Sequence, residues 1–198
     1  MKRILATLAL TLAVAAPLAA ADTWVIDRAH SETIFQIRHL VSKVSGRFTD
    51  FGGTIAGDPA KPEAATVEFT IKAASINTDN TDRDTHLRSA DFFDVAKYPE
   101  ITFKSNAIKK TADGKFEAAG TLTMHGIAKQ IVIPVEYFGA VKDPWGNEKA
   151  GFAARLTLNR KDFNVTWNKA IDNGGVLLGV DVDVVINLEA AKKKDAAK

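Results

Sequence analysis

Cysteine is absent from this chain of 198 residues. Thiol nucleophiles, thiolate metal sites and disulfide frameworks are therefore excluded, and the fold depends on its own apolar core. An excess of one charge is also missing, because 26 Lys and Arg face 24 Asp and Glu. Such a near-neutral chain lacks the concentrated basic face that nucleic-acid binding requires, so we expect no nucleic-acid partner.

Long apolar runs are confined to the first 21 residues. Lys2 and Arg3 precede an apolar stretch that begins at Ile4, and three alanines end this segment at Ala21. The order is typical of a cleaved secretory signal, and the stretch is shorter than the roughly 20 residues of a spanning helix. We predict a signal peptide at 1–21, a periplasmic protein with no integral membrane segment, one domain at 22–190, and a basic disordered tail at 191–198.

Most of the remaining chain alternates between apolar and polar residues, as in Thr66–Ala73, which predicts β-strands. About eight such segments follow one another at hairpin-like spacing, with Gly46, Gly52 and Gly53 as expected bends or bulges. An antiparallel barrel of eight strands has an interior that fits side chains or one small ligand. The sequence therefore predicts an all-β, eight-stranded antiparallel β-barrel, and a β-sandwich is the alternative.

One segment, Thr81 to Phe103, does not alternate. Asp82 and Asp84 are placed to cap a short helix, which we predict near residues 82–90. The adjacent Phe92 and Phe93 need an apolar environment, and the mouth or the inside of a barrel provides one. An outer-membrane barrel would have a polar lumen instead, which does not suit these two rings.

The densest group of ionisable residues lies beside that helix: Asp79, Asp82, Arg83, Asp84, His86, Asp91 and Asp94. Carboxylates beside a histidine can perform acid–base chemistry or hold a divalent cation, whereas helix capping and surface ion pairing are the simpler explanation. The patterns HExxH, DxDxDG and GxSxG are absent. We therefore predict no catalytic residue, no metal site and no cofactor. An enzyme acting on an apolar substrate at Asp82–Asp94 is the alternative.

Five stretches resemble the YceI-like family: HLVSKVSGRF (His39 to Phe48), DRDTHLRSADFFD (Asp82 to Asp94), YPEITFKS (Tyr98 to Ser105), GTLTMHGIAKQIVIPV (Gly120 to Val135) and NRKDFNV (Asn159 to Val165). The resemblance implies an exported bacterial protein with a lipocalin-like barrel. It also implies a long isoprenoid or fatty-acyl lipid as the partner, held in a tunnel, and a homodimer. A stress-related interaction domain with a closed, packed interior remains the other possibility.

A tunnel for such a lipid requires inward-facing apolar side chains and little else. The alternation of the strands and the two phenylalanines of the helical segment supply a candidate ligand-binding set. Its members are Phe35, Ile37, Phe69, Ile71, Phe92, Phe93, Leu122, Leu156, Leu158, Val180, Val182 and Val184.

Overall fold

The computed structural model describes residues 22–58, 61–171 and 174–194. Its elements in chain order are β1 Thr23–Ile26, β2 Glu32–His39, β3 Ser42–Phe48, β4 Phe51–Ala56, β5 Thr66–Lys72, β6 Ile76–Asn77, α1 Thr81–Arg88, β7 Glu100–Ala112, β8 Lys115–Met124, β9 Ile127–Lys142, β10 Glu148–Asn159 and β11 Leu178–Lys192. The predicted signal peptide lies outside the described residues.

The described strands form one antiparallel sheet that closes on itself. β11 pairs with β10 along one edge, and along its other edge with both β1 and β2. β1 and β2 therefore occupy one barrel position, interrupted by the turn at Arg28–His30. In the same way β3 and β4 share a second position, and β5 and β6 share a third. The eleven described segments thus fill eight positions, which confirms the predicted barrel of eight strands with one short helix.

The three glycines expected at bends or bulges lie within regularly paired strands instead. Gly46 pairs with Phe35, Gly52 with Thr70 and Gly53 with Phe69. A Cβ atom on Gly46 would lie 2.4 Å from the ring of Phe35, so the residue provides space for an aromatic side chain from the neighbouring strand. The interruption between β3 and β4 falls at residues 49–50.

The helix is shorter than predicted and is capped by a different residue. Asn80 is the N-cap, and its side-chain oxygen accepts a hydrogen bond from the Arg83 amide at 2.9 Å. Asp84 is buried in the first turn and accepts a hydrogen bond from the Thr78 amide at 2.9 Å, so it anchors the preceding chain. Phe92 and Phe93 follow the helix in a series of turns and do not belong to it.

β11 extends two residues beyond the predicted domain boundary at 190. Ala191 pairs with Val25, and Lys192 pairs with Trp24 in β1. The Lys192 ammonium also lies 2.7 Å from an Asp22 carboxylate oxygen, so this part of the predicted disordered tail is ordered strand. In the described part of the chain, no helix has the length and apolar character that crossing a membrane requires.

Candidate ligand-binding cavity

The barrel encloses a cavity of about 620 Å³. This volume falls within the range of roughly 300–1,000 Å³ that is usual for ligand pockets. Apolar side chains from every barrel position, and from the segment that follows α1, dominate its lining. The alternation of the strands produces this lining, because every second side chain points inward.

Eleven of the twelve residues in the predicted ligand-binding set line the cavity: Phe35, Ile37, Phe69, Ile71, Phe92, Phe93, Leu122, Leu156, Leu158, Val182 and Val184. Val180 is not in the lining. Between Leu178 and Val182, β11 has two residues more than the paired stretch of β2, and Val180 lies in this bulge between two residues that line the cavity. Contact between the set and a ligand stays a prediction.

An aromatic cluster forms the end of the cavity nearest α1. The rings of His86, Phe92 and Trp167 have centroids 4.9–5.1 Å apart, and all three residues line the cavity. The His86 ring also hydrogen-bonds through Nε2 to an Asp91 carboxylate oxygen at 2.8 Å. Edge-to-face contacts of this kind stabilise a compact cluster, so this end of the barrel has a defined apolar wall.

The few polar groups of the lining lie toward the two ends of the barrel. At the α1 end, Arg83 donates from Nε and Nη2 to the hydroxyl and carbonyl oxygens of Thr78, both at 2.7 Å. At the opposite end, Glu68 lines the cavity and pairs with Lys104 at 2.7 Å. Trp24 also lines this end, and its buried Nε1 has no hydrogen-bond partner among the described residues. Between the two ends the lining is apolar apart from Thr33, whose hydroxyl donates to the Phe48 carbonyl at 3.3 Å.

Arg160 is the buried cation of the lining, with 4% of its surface exposed. Its guanidinium donates from Nε to the Gly179 carbonyl at 2.9 Å, and from Nη1 to the carbonyls of Val165 and Trp167 at 2.7 and 2.8 Å. Burial lowers the pKa of this guanidinium, because removal from water disfavours the charged form. Arg160 therefore ties the chain after β10 to β11 beside the aromatic cluster.

The acidic residues around α1 do not converge on a common point. Asp79 forms an ion pair with Arg47 at 3.0 Å on the exposed surface. Asp84 accepts a hydrogen bond from the Thr78 amide, and Asp91 is hydrogen-bonded to the His86 ring. Paired carboxylates that share one proton or one metal ion would have to face each other. The arrangement instead matches capping and ion pairing along one edge.

A separate charged cluster closes the interruption between β1 and β2. Asp27, His30 and Glu189 bring ligand atoms within 4.8 Å of one another. The Lys149 ammonium lies 2.7 Å from Asp27 and 2.9 Å from Glu189, so a protein cation already occupies this group. Hydrogen bonds from Lys149 and then His30 lower the pKa of Asp27 to about 2. The cluster therefore links β10 and β11 to the turn.

The predicted set omits several lining residues. Phe152 and Tyr137 stack with centroids 5.2 Å apart, and burial raises the pKa of Tyr137. Both residues are in phase with the alternation of their strands, so that pattern could have found them. Trp167 and Arg160 lie in the irregular connection between β10 and β11, where no periodicity marks an inward side chain. His39 also lines the cavity.

A closed up-and-down barrel of eight strands around a ligand-sized apolar space defines the class of lipocalin-like barrels. Within that class, the chain belongs to the family of the YceI-like domain, whose sequence profile matches residues 24–190.

Similar proteins agree with this assignment. A UPF0312 protein of Pseudomonas savastanoi is 41% identical over 198 residues, covering 98% of this chain and all of the relative. The crystal structure of a Campylobacter jejuni YceI protein has a TM-score of 0.69 and 38% identity, covering 79% of this chain and 90% of that one. A Saccharophagus degradans structure described as a polyisoprenoid-binding domain has a TM-score of 0.64 and 15% identity, covering 88% of this chain and all of that one. At that identity the likeness concerns the fold.

Proposed function

We propose that this protein is a periplasmic binding or carrier protein that holds the apolar chain of an isoprenoid-type lipid inside its barrel. A polyprenol, a quinone tail and a fatty-acyl chain all present the apolar surface that such a lining suits. The observation that carries the proposal is the cavity of about 620 Å³ with its apolar middle. An interaction domain with a packed interior would have no space of this size.

The cavity volume limits how much of a lipid is enclosed. If each chain carbon takes about 30 Å³, the volume per water-sized unit, the cavity holds roughly 20 carbons. Each buried CH₂ contributes about 0.8 kcal/mol of transfer free energy. The gross gain of roughly 16 kcal/mol exceeds the usual costs of association, so we expect tight binding without any specific polar contact.

Membership of the YceI-like family supports a binding role. The Saccharophagus degradans domain shows that this barrel fold occurs in a protein described as binding polyisoprenoids. Export through the predicted signal peptide would place the protein beside the membranes that contain such lipids. The homodimer that the family resemblance implies remains a prediction, which sedimentation of the purified protein would test.

Binding accounts for the site better than catalysis does. Of the carboxylates that the enzyme alternative requires, in Asp82–Asp94, Asp84 and Asp91 are engaged in separate structural contacts with Thr78 and His86. The lining of the middle of the cavity offers no nucleophile with a neighbouring base among the described residues. We therefore assign this region to the wall of the cavity.

Intrinsic fluorescence provides a direct test of the proposal. Trp24 and Trp167 line the cavity, whereas Trp145 is 83% exposed and contributes only background. We expect a Trp145→Phe variant, stripped of lipid and titrated with geranylgeraniol, to show a saturable emission change at a one-to-one ratio. A five-carbon prenyl alcohol serves as the control and should give no saturable change at the same concentrations. A folded barrel that does not respond to geranylgeraniol would contradict the proposal.

A further inference from the structure

Arg160 has unused hydrogen-bonding capacity. A guanidinium carries five N–H donors, and three of them are engaged with the carbonyls of Gly179, Val165 and Trp167. Nη2, which carries the other two, is buried and has no hydrogen-bond partner among the described residues. Buried donors are nearly always satisfied in native structures, so a pair of free N–H groups on a cavity-lining side chain indicates an absent partner.

The charge of Arg160 is also uncompensated. Its three acceptors are neutral carbonyl oxygens, and no carboxylate in the described part of the chain forms an ion pair with it. A buried cation without a counter-ion is unfavourable because water no longer solvates it. An anion is therefore the partner that compensates both the free donors and the charge.

The charged groups of the lining favour the α1 end for an anion. Arg160 and Arg83 line that end beside the carboxylate of Asp82, whereas Asp58 and Glu68 line the opposite end, where Glu68 is paired with Lys104. The α1 end is therefore the end at which cations of the lining can compensate an anionic group. The unpaired donor at the opposite end, Trp24 Nε1, carries no charge and does not favour an anion to the same degree.

We propose that Arg160 binds an oxyanion on the head group of the ligand, a carboxylate or a phosphate monoester, at the α1 end of the cavity. The natural ligand is then an acidic amphiphile whose apolar chain extends from Arg160 toward Trp24. This inference rests on the proposed function and specifies the head group of the lipid.

Matched pairs of ligands test the inference on the unmodified protein. Geranylgeranyl monophosphate is compared with geranylgeraniol, and hexadecanoic acid with hexadecanol, by isothermal titration of lipid-stripped protein at pH 8. A hydrogen bond to a charged group implies that each acid binds about tenfold to a hundredfold more tightly than its alcohol. If the acid binds more tightly than its alcohol in just one of the two pairs, that pair identifies which oxyanion the site accepts.

An Arg160→Met variant should lose this discrimination while it still binds both alcohols. Arg155→Met, on the exposed outer face of β10, is the control and should discriminate as the unmodified protein does. If Arg160→Met does not fold, the ligand pairs on the unmodified protein still decide the question. Equal affinity for acids and alcohols would overturn the inference and leave the proposed function intact. Failure of all four ligands to bind would instead overturn the proposed function.

Discussion

Filling part of the cavity from β11 should weaken lipid binding without unfolding the barrel. Val182 lines the cavity from the first half of β11, whereas Val185, three residues further along the strand, is not part of the lining. A Val182→Trp substitution therefore places an indole in the space for the ligand. A Val185→Trp substitution makes the same chemical change on the same strand and serves as the matched control.

The expected loss follows from the number of atoms displaced. Tryptophan has seven more side-chain heavy atoms than valine, and because ring atoms are compact they exclude roughly three of the chain carbons that the cavity can hold. At about 0.8 kcal/mol per CH₂, the lost burial amounts to about 2.4 kcal/mol, or about sixtyfold in Kd. The free protein should remain folded, because the indole occupies empty volume instead of displacing packed side chains.

Titration with geranylgeraniol and thermal unfolding of the lipid-free proteins measure the two effects separately. We expect Val182→Trp to bind about sixtyfold more weakly than the unmodified protein, with a Tm within a few degrees of it. Val185→Trp should keep the original affinity. Unchanged binding by Val182→Trp, or an equal loss in Val185→Trp, would refute the assignment of the cavity as the lipid site.

Three further predictions concern stability and the lining. Asp27→Asn should lower the free energy of unfolding by about 1–2 kcal/mol at pH 7, because hydrogen bonds from Lys149 and His30 lower the pKa of Asp27 to about 2 from the usual 3.8. The stabilisation by the Asp27 carboxylate is present above pH 4 and is lost as the pH falls through about 2. The free energies of unfolding of the two proteins, measured with urea, should therefore converge near pH 2. Gly46→Ala should cost about 1–3 kcal/mol in the same assay, since its Cβ would lie 2.4 Å from an aromatic ring, whereas Gly52→Ala has no atom within 4 Å and should be neutral. Val180→Trp should leave the affinity for geranylgeraniol unchanged, because that position lies outside the lining.

The barrel was predictable because its strands alternate regularly. In β8 the inward residues are buried at every second position from Phe116 to Met124, as the sequence pattern indicates. The same regularity brings Leu156 and Leu158 of β10 into the cavity lining. Where the period of two is maintained, the sequence determines which face is inside.

The errors arose where the period is interrupted or the chain is irregular. Val180 lies in a bulge that the alternation of β11 does not indicate. The interruption between β1 and β2 is stabilised by the tertiary contact between Asp27 and Lys149. Asn80 caps the helix by accepting a hydrogen bond from the Arg83 amide, whereas Asp84 accepts hydrogen bonds from Thr78. Such positions depend on partners distant in the chain or on competition among several suitable residues, which local patterns do not resolve.

Mass spectrometry of the exported protein tests the central claim most directly. The protein is purified from the periplasm, measured under native conditions, and then extracted with organic solvent. We predict a bound species near one-to-one stoichiometry that carries a long isoprenoid or fatty-acyl chain and appears in the extract. A protein with the mass of the bare chain, which stays unbound after geranylgeraniol is added although the barrel is fully folded, would contradict the claim.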